Sequence, residues 1–235
     1  MDHSLSRRVF DQLYEAMLDH RLRPRDRLNR RQVAQDLGVS VAPVLEAMMR
    51  LEWEGYLQTS PRLGTVVREV TVADVAGQFR LRQAIEVEAV RISAGERLRA
   101  AAATLGKLAI EADAAASETR ANYRTEVAFH SALVEVAACP HLSRAHAQVM
   151  RHGLYHAAHD LLPALPRRTK DLHARLLAAL LRADADQAAT LIRRHLATWF
   201  DVLAKACDAK APGPVAFRGP AVSLKRSRRG GAGKS

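Results

Sequence analysis

The chain has 235 residues, of which 48% are hydrophobic, 5% aromatic and 26% charged. This length and composition allow one or two globular domains with buried cores and exclude a chain that is disordered throughout. The longest apolar runs, such as residues 176–181, are far shorter than the roughly 18 residues of a membrane-spanning helix, and acidic residues interrupt the first twenty positions. We therefore expect no secretory signal, no membrane partner and a cytoplasmic protein.

The charge is unevenly distributed along the chain. With 36 Lys and Arg against 25 Asp and Glu, the net charge is +11, which favours a polyanionic partner. Seven basic and no acidic residues fall within residues 209–235, which leaves +4 for residues 1–208. Proline and glycine accompany them, so we predict a disordered basic tail over residues 211–235. Such a tail suits either a non-specific tether to DNA or a solubility tail.

The two cysteines, Cys139 and Cys207, are 68 positions apart and form no CxxC motif. This spacing argues against a disulfide framework and against a thiolate zinc site. We expect two buried thiols.

The first predicted helix covers residues 5–20, where apolar residues recur at helical spacing. A second helix is predicted to begin at Asn29, whose side chain caps it while Gln32 returns the contact of a capping box. Gly38 is expected to end that helix in the left-handed conformation.

The third helix is predicted to begin after Ser40, which caps it, with Pro43 in the first turn. Residues 56–70 are rich in β-forming residues interrupted by proline and glycine, and this pattern indicates a two-stranded hairpin. Two short helices across a tight turn, followed by a hairpin, make residues 1–70 a winged helix-turn-helix domain.

The remainder of the chain shows helical periodicity without strand signals. We predict a mostly α protein whose second domain, residues 71–210, is an all-α bundle. Its six expected helices cover residues 71–95, 97–117, 119–138, 141–161, 166–182 and 185–208.

Several motifs of the first domain carry a family resemblance. They are Leu22-Arg23-Pro24-Arg25-Asp26-Arg27-Leu28, Val33-Ala34-Gln35-Asp36-Leu37-Gly38-Val39-Ser40, Pro43-Val44-Leu45-Glu46-Ala47, Leu51-Glu52 and Glu54-Gly55. In order and spacing they closely resemble the amino-terminal domain of the GntR family of bacterial transcriptional regulators, and the helical remainder resembles that family's FCD effector domain. The resemblance covers residues 7 to about 205. It implies a homodimeric, non-enzymatic DNA-binding regulator that recognises an inverted repeat, with residues 71–210 as the effector-binding and dimerisation domain.

The candidate DNA-binding residues lie on the third helix, before it and at the hairpin tip. A helix that begins after Ser40 can point its first turn into the major groove, and an arginine at the tip can enter the minor groove. An alternative for each arginine is a solvated surface position. The predicted set is Arg30, Arg31, Ser40, Val41, Ala42, Arg50, Arg62 and Gly64.

The sequence departs from the family at two positions of the third helix. Many members carry DNA-contacting arginines where this chain has Val41 and Leu45, which cannot donate a bidentate pair to guanine. Arg31, by contrast, falls on a family position that does carry such an arginine. We expect altered specificity, with a methyl contact from Val41 to thymine, rather than lost binding.

The second domain contains a candidate metal site. Glu126 and His130 are four residues apart and share a helix face, while His173 and His195 lie on the last two predicted helices. Spacing alone is weak, but many FCD domains bind a divalent metal through an Asp-x-x-x-His pair and two later histidines, and these four residues match those positions. Glutamate replaces the family's aspartate. Zinc, nickel and manganese all suit such nitrogen and oxygen ligands.

The candidate effector-binding residues are Arg82, His152 and His156. Arg82 matches the family's characteristic arginine of the first bundle helix, and a guanidinium beside a metal favours a small organic acid or sugar acid. Arg82 could instead pair with Glu86 one turn on. The two histidines could contact the ligand, line the cavity, face solvent or bind a separate metal.

These expectations favour a repressor that a small acid releases from DNA, although activation by ligand is equally allowed. A metal-dependent hydrolase or isomerase, with Glu126 or a nearby histidine as base, is the alternative from another class. That alternative leaves the first domain without a role. A ligand-binding protein that no longer reads DNA sequence is the third interpretation, and it depends on Val41 and Leu45.

Overall fold

A computed structural model describes residues 3–61, 64–114, 119–159, 172–207 and 223–224. The chain divides into two compact units, one formed by residues 1–69 and 213–235 and the other by residues 70–212. The predicted fold class is confirmed, because the described residues are mostly helical and the one small sheet among them belongs to the first unit. None of the helices in the described ranges combines the length and the hydropathy that crossing a membrane requires.

The first unit is a winged helix-turn-helix. Its elements are α1 (His3–Leu18), β1 (Arg27–Leu28), α2 (Arg30–Leu37), α3 (Val41–Trp53), β2 (Leu57–Ser60) and β3 (Gly64–Val67). The antiparallel strand order is β1-β3-β2, so the predicted hairpin is joined by a third strand that the sequence did not indicate. Strand β1 has only two residues, which is too few to show an alternating pattern, and its partner strand β3 lies far along the chain.

Local capping differs in part from the prediction. The Asn29 side chain accepts hydrogen bonds from the backbone N–H groups of Arg31 and Gln32, and Gly38 adopts a φ of 66°. The Gln32 side chain, however, donates to Asp36 at 2.9 Å, so the predicted return contact is wrong. Ser40 precedes α3 but makes no side-chain capping bond. The ends of α2 therefore depend on Asn29 and Gly38.

The second unit contains seven helices in its described residues instead of the predicted six. They are α4 (Val72–Ser93), α5 (Glu96–Ala100), α6 (Ala102–Ala114), α7 (Thr119–Glu135), α8 (Pro140–Ala158), α9 (Leu172–Leu180) and α10 (Ala185–Cys207). The extra helix arises because the predicted second helix breaks at a single residue, Ala101. The apolar spacing continues across this break from Leu98 to Leu105, so periodicity could not reveal it.

The second unit is organised around α4, which packs against α7, α8 and α10. A capping box fixes its start, because the Thr71 hydroxyl accepts from the Asp74 N–H while the Asp74 carboxylate accepts from the Thr71 N–H. The largest apolar core lies among α4, α6, α7, α9 and α10 and includes Phe129, Leu133 and Ile192. These contacts bring side chains from four helices to the candidate metal site.

Two smaller expectations are corrected. Cys139 is a free thiol that is only partly buried, and the Cys207 side chain lies outside the described residues. Within the predicted tail, the Ser223 hydroxyl and the Leu224 N–H both donate to Asp36 on α2, at 2.9 and 2.7 Å. The expectation of a tail without ordered contacts therefore does not hold for these two residues, and the rest of the tail lies outside the described ranges.

Candidate nucleic-acid interface and metal centre

The first candidate site is a groove of about 800 Å³ between the helix-turn-helix and the wing. Three arginines at its edge, Arg27, Arg30 and Arg31, are exposed, and Leu45 and Met49 of α3 lie on its wall. Arginine guanidinium groups with free access to solvent are suited to phosphate oxygens. We name this surface the wing groove.

The wing is held beside α3 by hydrogen bonds to one carboxylate. Glu52 accepts from the backbone N–H and from the hydroxyl of Thr59, each at 2.8 Å. The Thr59 hydroxyl also lies 2.9 Å from that of Thr65 on the facing strand. Because Glu52 accepts from both the N–H and the hydroxyl of Thr59, the position of the wing relative to α3 is fixed.

Six of the eight predicted DNA-binding residues lie either in the wing groove or at the start of α3. Arg30, Arg31 and Gly64 line the wing groove, and Ser40, Val41 and Ala42 are exposed at the start of α3. Arg62 lies outside the described residues.

Arg50 lies away from the other predicted DNA-binding residues. Its guanidinium stacks on Phe10 with 4.0 Å to the ring centroid and pairs with Glu54 at 2.9 Å. Arg50 follows Val41 by nine residues, which turns it to the opposite side of α3. Arg27, which sequence reasoning missed, lines the wing groove because β1 pairs with β3.

The second candidate site is formed where three helices, α7, α9 and α10, converge. The ligand atoms of His130 on α7, His173 on α9 and His195 on α10 all lie within 4.8 Å of one another. Nε2 of His130 is 3.3 Å from Nε2 of His195. The structure thus brings together the three histidines that were predicted from sequence.

Glu126 completes this cluster with its two carboxylate oxygens. One oxygen lies 3.3 Å from Nε2 of His173 and the other 3.4 Å from Nε2 of His130. Donor atoms bound to one ion at about 2.1 Å in tetrahedral geometry lie about 3.4 Å apart. The measured separations therefore suit a single divalent cation.

Two further carboxylates orient the imidazoles. Nδ1 of His130 lies 2.7 Å from Glu86, and Nδ1 of His173 lies 2.7 Å from Asp113. An ionised carboxylate only accepts, so each Nδ1 carries the proton and each Nε2 faces the cluster. Carboxylate–histidine–metal arrangements of this kind are typical of built metal sites. Spacing could not indicate Glu86 or Asp113, because each lies more than forty residues from its histidine.

His173 provides an independent test of whether these residues fit a divalent cation. Its side chain is fully buried, and among the described residues its Nε2 has no hydrogen-bond partner. Leaving a buried polar nitrogen unsatisfied costs about 1–3 kcal/mol, and a bound cation would satisfy it. The donor set of three imidazoles and one carboxylate therefore fits a divalent metal ion.

The electrostatics of the cluster differ from residue to residue. Burial would raise the pKa of Glu126, but the adjacent imidazoles of His130 and His173 hold it well below its usual range. Burial away from water, together with neighbouring His130, lowers the pKa of His195 to about 3. Burial would lower the pKa of His130, but the charge of Glu86 raises it above its usual value. Ionised Glu126 and neutral His195 are in the protonation states that coordinate metals, whereas His130 must lose a proton to bind one.

Arg82 lies beside this cluster and is fully buried. Its Nε donates to Glu86 at 2.6 Å, so the predicted pair with Glu86 is present. Its Nη2 lies 3.6 Å from Glu126, and among the described residues neither Nη1 nor Nη2 has a hydrogen-bond partner. Glu86 also lies 3.1 Å from Nε2 of His146, and burial opposed by the charges of Arg82 and His130 leaves the pKa of Glu86 well below normal.

The two other predicted effector residues lie along α8. His156 is buried with Nδ1 3.2 Å from the side-chain oxygen of Gln78, and His152 is partly buried with its ring 6.1 Å from that of His156. Neither belongs to the three-histidine cluster. Their role in effector binding stays a prediction.

The wing groove and the helical second unit define a transcriptional regulator of the winged helix-turn-helix class. The family model of bacterial regulatory proteins, gntR family, matches residues 5–67, and that of the FCD domain matches residues 78–198, which is more than half of the chain. The chain belongs to the GntR family and carries an FCD domain.

Similar proteins agree with this assignment. An uncharacterized HTH-type transcriptional regulator of Streptomyces ambofaciens is 27% identical over 206 residues, or 83% of each chain. The uncharacterized HTH-type transcriptional regulator YdhC of Bacillus subtilis is 29% identical over 57% of this chain, and the match spans 61% of that protein's length.

Solved structures share the fold at lower identity. McbR/YncC of E. coli, at 22% identity and a TM-score of 0.63, is matched over 86% of this chain and 98% of its own. A GntR transcriptional regulator from Rhodococcus, also at 22% identity, has a TM-score of 0.65 and is matched over 88% of this chain and all of its own.

Proposed function

We propose that this regulator is a cytoplasmic homodimeric repressor that binds an inverted-repeat operator and is controlled by a small organic acid at a divalent metal site. The metal ligands are Glu126, His130, His173 and His195. The observation that carries the proposal is the convergence of three buried donors, Glu126, His130 and His173, and the partly buried His195 beside Arg82. Zinc, nickel and manganese all fit the donor set.

The effector class follows from the charges around the cluster. A bound divalent ion supplies a Lewis acid that attracts carboxylate oxygens. Arg82 adds the N–H donors of Nη1 and Nη2, of which Nη2 lies 3.6 Å from a Glu126 oxygen. A small carboxylate or sugar acid that contacts both groups uses hydrogen-bonding capacity that the described residues leave unused.

Dimerisation and effector response complete the proposal. Two copies related by a two-fold axis present two recognition helices to successive major grooves and so match an inverted repeat. An effector that binds one dimer arrangement more tightly shifts the protein toward that arrangement. We propose that the shifted arrangement has lower affinity for the operator.

The experiment is selection of binding sequences from a random duplex library by the purified protein at fixed near-physiological salt. We expect an enriched short inverted repeat, and a 5- to 150-fold affinity change when metal and the correct acid are added together, which is roughly the usual range of allosteric coupling. Binding without enrichment that vanishes as salt rises would instead support a protein that no longer reads DNA sequence.

The basic tail is proposed to add non-specific phosphate contacts. Replacing its five basic residues after Leu224 by glutamine is expected to flatten the dependence of log affinity on log salt, by up to about 0.9 per lost contact. These residues are Lys225, Arg226, Arg228, Arg229 and Lys234. Sequence preference should not change, and an unaltered salt slope would assign the tail to solubility.

A further inference from the structure

The recognition helix α3 presents an apolar stripe to solvent. Val41, Leu45, Met49 and Trp53 follow one another at intervals of four and are 42%, 37%, 61% and 80% exposed. Four-residue spacing places them on one face of the helix. The opposite face is the buried one, formed by Val44, Ala47, Met48 and Leu51. The stripe is therefore a surface feature that the core of the first unit does not use.

The surroundings of the stripe are cationic. Leu45 and Met49 line the wing groove together with Arg27, Arg30 and Arg31. The one groove carboxylate on α3, Glu52, is already engaged by Thr59. An apolar strip edged by arginines is complementary to the DNA major groove, where phosphates flank base edges that include the thymine methyl group. A purely apolar partner would leave these three guanidinium groups without counter-charge.

We propose that Val41 and Leu45 recognise thymine methyl groups in each operator half-site, an inference that rests on the proposed DNA-binding function. Neither side chain can donate or accept a hydrogen bond, and the C5-methyl of thymine is the apolar group on the major-groove edge of the base pairs. The amino-terminal part of a recognition helix contacts the bases, which selects these two positions over Met49 and Trp53.

The helix geometry sets the expected spacing of the two methyl groups. Four helical residues rise about 6 Å, and two base-pair steps advance about 6.8 Å. With α3 lying along the major groove, Val41 and Leu45 meet thymines about two base pairs apart. Arg27, Arg30 and Arg31 contribute phosphate contacts that position the helix without selecting the base.

The test uses the full chain and the highest-ranking duplex from the random-library selection. Deoxyuridine replaces each thymidine of the half-site in turn, which deletes one methyl group and leaves base pairing intact. We expect about four-fold weaker binding at two positions, the effect of exposing one buried methyl group, and no change in the flanks. At these two positions 5-methylcytosine should bind more tightly than cytosine.

Protein variants connect the methyl groups to the side chains. Leu45→Gln and Val41→Ser should each lose discrimination between thymine and uracil at one position, while Ile110→Asn, at a similarly exposed apolar residue of α6, should keep it. An enriched repeat whose uracil version binds as tightly as the thymine version would overturn the inference and leave the proposed function intact. Absence of any enriched sequence would overturn both. A change of oligomeric state in Leu45→Gln, with methyl discrimination retained, would assign the stripe to a protein contact.

Discussion

Replacing both His173 and His195 by alanine is expected to abolish stoichiometric metal binding. The two changes remove half of the proposed ligands and leave Glu126 and His130, which sit four residues apart on α7. Two ligands on one helix do not close a tetrahedral site. Elemental analysis of protein purified after incubation with zinc, nickel or manganese should give about one ion per chain for the wild type, and none for the double variant.

The control for this experiment is His152→Ala with His156→Ala, on α8. It removes the same number of imidazoles outside the three-histidine cluster and should leave the metal content unchanged. Retention of one ion by the His173 and His195 double variant, together with its loss from the control, would place the metal on α8. Operator binding by the double variant should also lose its response to acids, because the proposed effector contacts the proposed metal ion.

Replacing Glu86 by alanine is expected to destabilise the second unit strongly. This fully buried carboxylate pairs with Arg82 at 2.6 Å, with His130 at 2.7 Å and with His146 at 3.1 Å. Removing it leaves a buried guanidinium short of its main partner, which costs about 3–5 kcal/mol. For a chain of this size that loss lowers the Tm by roughly 10 °C. Thermal unfolding in the presence of a chelator separates this effect from metal loss.

Glu86→Ala should also weaken metal binding through His130. Without the carboxylate, Nδ1 of His130 loses the acceptor that directs Nε2 at the ion, and loss of such partners typically reduces metal affinity about 10- to 100-fold. Glu88→Ala is the matched control, since Glu88 is exposed on the same helix and should change the free energy of unfolding by under about 0.5 kcal/mol. Equal stability of the two variants in chelator would refute the role assigned to the Glu86 pairs.

The sequence predicted the four candidate metal ligands but not the carboxylates that orient them. Glu126 and His130 are four residues apart, and the sequence alone shows that this spacing places them on one helix face. The family resemblance added His173 and His195. Glu86 and Asp113 reach their histidines only through the packing of α4 on α7 and of α6 on α9. Contacts between residues 44 and 60 positions apart follow no periodic pattern.

In the wing groove, too, some features were predictable from the sequence and others depended on tertiary packing. The positions of α2 and α3 were predictable because Asn29, Gly38 and the apolar residues between them act within a few residues of chain. The sequence could not predict that Arg50 lies away from the DNA-binding residues. Phe10 and Glu54 engage Arg50 only after α1 packs on α3. Arg27 likewise joined the groove through a strand pairing with β3.

The sequence by itself therefore determined the two-part architecture and the helix-turn-helix, since these depend on periodicity, local caps and motif spacing, and its resemblance to a family indicated the four candidate metal ligands. Only the tertiary structure decided which arginines face the groove, which carboxylates orient the histidines and what Arg82 pairs with. Those outcomes depend on desolvation and on contacts between distant segments. Burial obliges each polar group to find a partner, and packing rather than sequence distance selects which one it finds.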